Sequence, residues 1–311
     1  MFEQEYRRAV DRLGPEEALA DQVLRRLGEQ GGGQPRRLGR RILLAAAVCV
    51  LLTASALALS PTLRQVLQEV LGGYAGYAVP VEGTAVENGI SITLVSALTD
   101  NAMARVYVQA RDLTGDRLGG DLDVIGLIAP VQPQSDGGIT SGVVSGRCVG
   151  YEEETGTALL EFSSWGMISE ADKTLALTIP YLGRGGEAFG PDSWHIEFVP
   201  ERLPVRTIPL EGTVNGIPLL RLELSVLGAA VYTRGPEGLA GDLLRVFLTD
   251  GTVLSPRYQG GSGNGYPAEM VSGCWTFESP VEPDQAAGIA LGQWYIPLEG
   301  ETAGRGYWLA S

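Results

Sequence analysis

The sequence predicts a mainly β protein: two tandem antiparallel β-sandwich domains behind one transmembrane helix and a short cytoplasmic helical pair. Three observations lead there. A run without charge extends from Ile42 to Leu63, a motif near residue 80 returns near residue 208, and both regions that follow alternate apolar and polar residues with a period of two. Period-two alternation bounded by Gly, Pro and Asp turns is the pattern of half-buried strands, and many short strands without a long helical period point to sandwiches.

Residues 1–41 come first. Phe2, Tyr6, Val10 and Leu13 follow at steps of four, four and three, which places them on one helical face. Gly14 and Pro15 stop that helix. Pro15 suits the first position of a second one, with Glu16 and Glu17 in its first turn and Arg25 and Arg26 in its last, as the helix dipole favours. Leu19, Val23 and Leu27 again share a face, and GEQGGGQP reads as a linker. Two helices this short cannot bury enough surface alone, so their apolar faces need a cover, either a protein partner or the inner membrane surface. Phe2, Tyr6, Val10, Leu13, Leu19, Val23 and Leu27 are therefore the candidate partner-binding residues.

Residues 42–63 follow as the expected span. At 1.5 Å rise, 22 residues reach about 33 Å, enough for a hydrocarbon core of roughly 30 Å. Arg36, Arg37, Arg40 and Arg41 crowd the N-terminal edge, with Arg64 beyond the other. The positive-inside rule then leaves the N-terminus cytoplasmic and exports the rest. Ala56-Leu57-Ala58 offers the alternative, a signal-peptide cleavage pattern. The long patterned segment in front favours retention as an anchor.

Residues 64–78 form a juxtamembrane segment, and two modules follow, 79–205 and 206–311. Val79-Pro80-Val81-Glu82-Gly83-Thr84, with Asn88-Gly89-Ile90 behind it, returns as Ile208-Pro209-Leu210-Glu211-Gly212-Thr213, with Asn215-Gly216-Ile217. The spacing of 129 residues, 127 after a two-residue gap, is the size of one domain. Asn-Gly suits a tight hairpin because both positions tolerate positive φ. Strand alternation is read at Ile90, Ile92 and Leu94; at Val106 and Val108; at Leu175, Leu177 and Ile179; and at Trp194, Ile196 and Phe198. In the second module it is read at Leu220, Leu222, Leu224 and Val226, and at Val246 and Leu248 before Asp250-Gly251. Ile296-Pro297-Leu298-Glu299-Gly300 is a third echo of the motif.

Charge divides at the apolar run. Nine Arg against seven acids give +2 before Ile42, and 14 basic against 30 acidic residues give −16 after it. So acidic a region disfavours nucleic acid and anionic lipid.

Candidate chemistry is sparse, and the chain is read as a non-enzyme without a cofactor. His195 is the only histidine, which excludes a multi-histidine metal site, and it falls on the outward side of a strand. Lys173, the only lysine, has no placed serine partner. Asp112, Asp116, Asp121 and Asp123 could ligate calcium but lack EF-hand spacing, and solvated turn residues are the simpler reading. Gly260 to Gly265 lacks the Lys and Ser/Thr of a phosphate loop. Trp275, Trp294, Tyr295, Tyr307 and Trp308 offer a glycan-stacking face, with core packing as the alternative. Cys148 and Cys274 either bridge the modules or remain buried thiols.

The basic-flanked span, the helices ending VLRRL and the opening ENGISITLVSALTDNAMARVYVQA together resemble the anti-sigma-factor-like single-pass membrane proteins of Gram-positive bacteria. VNGIPLLRLELSVLGAAVYTR is similar to the opening of a second exported domain often found behind the first. The resemblance covers most of the chain and implies immunoglobulin-like exported domains of unknown function and a sigma factor held at the membrane. Residues 1–41 contain neither His nor Cys, so the zinc-binding version of the cytoplasmic domain is ruled out. The function that follows is a membrane-anchored regulator. The alternative is a surface-displayed binding or structural β-sandwich protein whose cytoplasmic segment only sets topology.

Overall fold

The computed structural model describes residues 59–131, 145–166, 168, 173–190, 192–234, 239, 244–260 and 270–308. All belong to one compact unit, residues 47–311. The helical pair, the arginine cluster at Arg36, Arg37, Arg40 and Arg41, and the apolar run up to Ala58 lie outside the described residues. Among the described residues no helix is long and apolar enough to cross a membrane.

The first element departs from expectation. Residues up to Leu63 read as the end of a span, yet Ser60 is extended, with φ −60° and ψ 158°, and caps a new helix, α1 (Pro61–Leu71). The cause is local. Proline disfavours helical backbone in the residue before it, and with Ser60 extended the helix starts at Pro61. Ser60 Oγ accepts the Leu63 amide at 3.2 Å, and Pro61 takes the first turn, where its missing N–H costs nothing. Leu63, Leu67 and Leu71, four apart, are buried against protein, so Leu59 and Leu63 are core residues and not lipid-facing ones. The apolar stretch in front of Leu59 runs from Ile42 to Ala58, 17 residues, near the lower limit for a crossing. Gly72, at φ 51°, ends α1, and a 3-10 turn, Gly72–Gly76, leads into the sheets.

The expected β class is what the structure shows: the described residues are mainly strand, and their sheets are antiparallel. Strands β1 (Val79–Pro80), β2 (Thr84–Glu87), β3 (Ile90–Thr99), β4 (Met103–Asp112), β5 (Leu122–Pro130), β6 (Ser145–Glu152), β7 (Thr157–Trp165), β8 (Leu175–Arg184), β9 (Glu187–Ala188) and β10 (Trp194–Phe198) form one sheet. Its order is β1-β3-β4-β7-β6-β5-β8-β10, with β2 on β3 and β9 on β8. Within this sheet β5 and β6 pair at Ile125 with Ser145 among the described residues. Its two halves close on a shared core that includes Ile92, Val106, Phe162, Ile128, Leu177 and Trp194. The Phe162 ring packs against β5 and β6 because Gly126 and Gly146 lack a Cβ; one there would lie 2.5 and 2.6 Å from the ring.

Strands β11 (Arg206–Pro209), β12 (Thr213–Val214), β13 (Ile217–Leu224), β14 (Gly228–Thr233), β15 (Leu244–Leu248), β16 (Val253–Leu254), β17 (Arg257–Gly260), β18 (Met270–Thr276), β19 (Ala286–Leu291), β20 (Trp294–Pro297) and β21 (Tyr307–Trp308) build two further sheets. One runs β11-β13-β14-β18-β17 with β12 on β13, the other β16-β15-β19-β20-β21. Both contribute to one core, with Leu222, Val231 and Trp275 from the first and Val246, Ile289 and Ile296 from the second.

The repeated motif has a repeated structure. β1 and β2 pair with β3 as β11 and β12 pair with β13, and Asn88 and Asn215 both sit at φ 52° before Gly89 and Gly216 at 72° and 81°. Two positive φ angles in succession make the tight hairpin whose twist matches its strands. The third echo, Ile296-Pro297, lies in β20 and opens no module.

Strand β3 alternates only as far as Leu94. From Val95 to Thr99 both faces are buried. A bulge between Leu94 and Ser96 shifts the register, and the outer face from there on is covered by α1 and by the second module.

Candidate functional site

The feature that ties the described residues together is this covered outer face. Leu63, Leu67, Leu71 and Tyr74 from the α1 region, Leu98, Met103 and Tyr107 from the first module, and Val226, Tyr232 and Cys274 from the second form one apolar cluster. Helix α1 reaches the sheet because Gly150 in β6 leaves room: a Cβ there would lie 2.8 Å from Val66 Cγ1. The turn after α1 reaches the second module. The Tyr74 hydroxyl donates to the Phe277 carbonyl at 2.8 Å and the Tyr77 hydroxyl to Glu282 Oε1 at 2.8 Å. Burial pushes the Tyr74 phenol up to about 12, so it remains a donor at every physiological pH.

At the centre of the junction sits a buried carboxyl. Asp100, 2% exposed, occupies the turn between β3 and β4, where Oδ1 accepts the amides of Ala102 at 2.8 Å and Met103 at 2.6 Å. The Ser225 hydroxyl, from the second module, donates to Oδ2 at 2.5 Å and accepts the Leu227 amide at 3.0 Å. Arg202, on the connection between modules, donates to the Asp100 backbone oxygen. A narrow gap lined by Asp100, Met103, Val205, Glu223, Ser225 and Ala230 brings a second acid close. Glu223 is held by Arg221 Nε at 3.0 Å and by the Tyr232 hydroxyl at 3.0 Å, and Arg221 stacks on the Tyr232 ring at 3.6 Å. Burial pushes the Asp100 carboxyl up, against its three hydrogen bonds and with the charge of Glu223 adding to the rise. The Cys274 thiol is pushed up by burial first and then by Asp100.

The other candidates separate. His195 is exposed on β10, with Nδ1 3.0 Å from Thr178 Oγ1 and Nε2 3.7 Å from Glu197. Lys173 is exposed ahead of β8. Asp112 is not a solvated turn residue. Its side chain is 1% exposed, Oδ1 accepts the Thr114 and Gly115 amides, and Arg117 Nε reaches Oδ2 at 2.7 Å. The Arg117 guanidinium holds that carboxyl well below the usual carboxylate range and leaves its oxygens committed. Asp121 pairs with Arg184 at 2.6 Å, and no cluster of three or more metal-ligating side chains occurs among the described residues. Of the aromatic set, Trp275 is buried in the second core. Trp294 meets Trp308 edge-on at 5.3 Å, while Tyr295 meets Tyr307 at 5.4 Å and Phe247 at 5.2 Å. The five therefore make no single face. Cys148 and Cys274 are both free thiols.

Sequence reasoning missed Asp100, Ser225, Glu223 and Tyr74. The Asp-Asn pair at 100 and 101 marks a turn, but nothing in the pattern says what the carboxyl would meet 125 residues later.

No family model and no curated protein matches the chain. Among solved structures, it is similar to the crystal structure of a conserved domain protein from Bacillus anthracis, at TM-score 0.47 and 13% identity, over 70% of this chain and 77% of that one.

Proposed function

We propose that this chain is a membrane-anchored, anti-sigma-factor-like regulator: residues 1–41 bind a sigma factor in the cytoplasm, the apolar run anchors, and residues 79–311 sense or bind at the cell envelope as two immunoglobulin-like sandwiches, 79–205 and 206–311. The observation that carries the reading is the amphipathic pattern Phe2, Tyr6, Val10, Leu13, Leu19, Val23 and Leu27 in front of an apolar run flanked by Arg36, Arg37, Arg40 and Arg41. The junction supports it, because α1 packs on the first module and the turn behind it bonds to the second, close after that run in sequence, so a change between the modules has a packed route toward the anchor. The lipid bilayer is a partner through one span, and nucleic acid is not one. Co-purification of a sigma factor with the full chain, lost on Leu19→Asp or Val23→Asp, is the expected result. Retention of the same partner by both variants, or recovery of none with the wild type, overturns the reading.

A second reading, a surface-displayed binding protein, is favoured by Tyr307 and Trp308, 53% and 61% exposed on an edge strand. It requires that an unrelated leader in place of residues 2–29 leave function intact.

A further inference from the structure

The junction contains a titratable group where an apolar one would pack more simply. Asp100 is enclosed between modules, and among the described residues the groups that face it are the Ala102 and Met103 amides from its own turn, Ser225 from the second module, Glu223 behind it with Arg221 and Tyr232, the Cys274 thiol, and Arg202 on its backbone oxygen. The charge that acts on the carboxylate is that of Glu223, an acid, while Arg221 is committed to Glu223 and the Tyr232 ring. An ionised Asp100 therefore faces a like charge in a buried interface. A neutral Asp100 keeps both amide bonds at Oδ1 and no longer sets a second negative charge beside Glu223.

We propose that this junction is an acid-strengthened latch: taking up a proton at Asp100 tightens the hold of the first module on the second, and losing it loosens that hold. As an input to the regulator described above, the latch rests on that reading. As a property of the junction it stands without it.

The direction follows from linkage. Burial raises the carboxyl in the closed junction above the value it has when the modules separate, so the closed state binds more protons over that interval. Closure is strongest below the ordinary aspartate range and weakens as pH rises through the raised value. The Ala102 and Met103 amides bond within the Asp100 turn and the Leu227 amide within the Ser225 turn, and all three residues are buried at the junction, so opening brings solvent to them from both sides.

The test is hydrogen exchange of the full chain in neutral lipid nanodiscs between pH 3 and pH 8, with intrinsic exchange corrected, read at Ala102, Met103 and Leu227. The wild type should open more readily toward pH 8, by roughly tenfold for each unit by which the carboxyl is raised. Asp100→Asn is permanently neutral, accepts the same amides and should match the acid form at every pH. Ser225→Ala removes a bond that favours the ionised form, so it should move the opening to lower proton demand and widen the pH dependence. Identical pH profiles for the wild type and Asp100→Asn overturn the latch, as does a flat profile in Ser225→Ala. Sigma-factor binding enters neither readout, so failure of the regulator reading remains distinguishable.

Discussion

The Tyr74 hydroxyl donates to the Phe277 carbonyl at 2.8 Å, joining residues 203 positions apart through a turn that belongs to neither β module. Phenylalanine would keep the ring and its contact with the Arg105 guanidinium, 5.5 Å from the ring centre, but would leave the buried carbonyl without this donor. Tyr74→Phe is expected to cost about 1–3 kcal/mol, read as a lower urea midpoint with an unchanged slope.

Gly150 is where α1 rests on β6. A methyl group 2.8 Å from Val66 Cγ1 cannot be absorbed by a rotamer change, because valine is stiff at χ1. Gly150→Ala should destabilise by about 1–3 kcal/mol through overpacking. Adding Val66→Ala removes the clashing methyl and should recover most of the loss, and a double-mutant cycle measures that coupling.

Asp112 and Arg117 set part of the acid limit. With the carboxyl held far down by the guanidinium, the pair stabilises above the ordinary aspartate range and loses that contribution as pH falls below it toward the depressed value. Asp112→Asn should cost about 2 kcal/mol at neutral pH, the scale of hydrogen bonds to charged groups. Below pH 4 the gap to the wild type should narrow, which acid titration of circular dichroism checks.

The thiols give a reading without mutation. Cys148 is half-buried and Cys274 is fully buried, and both are free. The native protein should show slow labelling at Cys148 and none at Cys274, both should react after unfolding, and oxidised and reduced forms should run alike. A blocked Cys148 or Cys274 in unfolded, unreduced protein, mapped by peptide mass apart from Cys49, would contradict this.

Much of the β architecture was legible because one face of most strands is wet. Trp194, Ile196 and Phe198 are buried while His195 and Glu197 are exposed, as the alternation predicts. Asn88-Gly89 and Asn215-Gly216 announced their turns because few residues accept positive φ. The signal failed where a second surface intervened. Beyond Leu94 both faces of β3 are buried, and a pattern with no polar side has no phase to read. Helix α1 was hidden by its neighbour, since Leu59 and Leu63 continue an apolar run. The signal that separates them is Ser60-Pro61 followed by leucines at steps of four. Asp100 and Ser225 were illegible for a different reason: each is an ordinary turn residue, and only the docking of two modules makes them partners.

The cap at Ser60 has a consequence for processing. A protease works on chain that it can draw out into its groove, and exposed loop tips are where such cutting concentrates. Leu59 is 3% exposed, and the helix begins two residues later, so the described chain offers no slack beside the apolar run. Cleavage within residues 59–71 therefore requires Leu63, Leu67 and Leu71 to be unseated first. The same packing that joins the modules thus guards residues 59–71 against being cut, and loosening it would turn a packing change into an irreversible break.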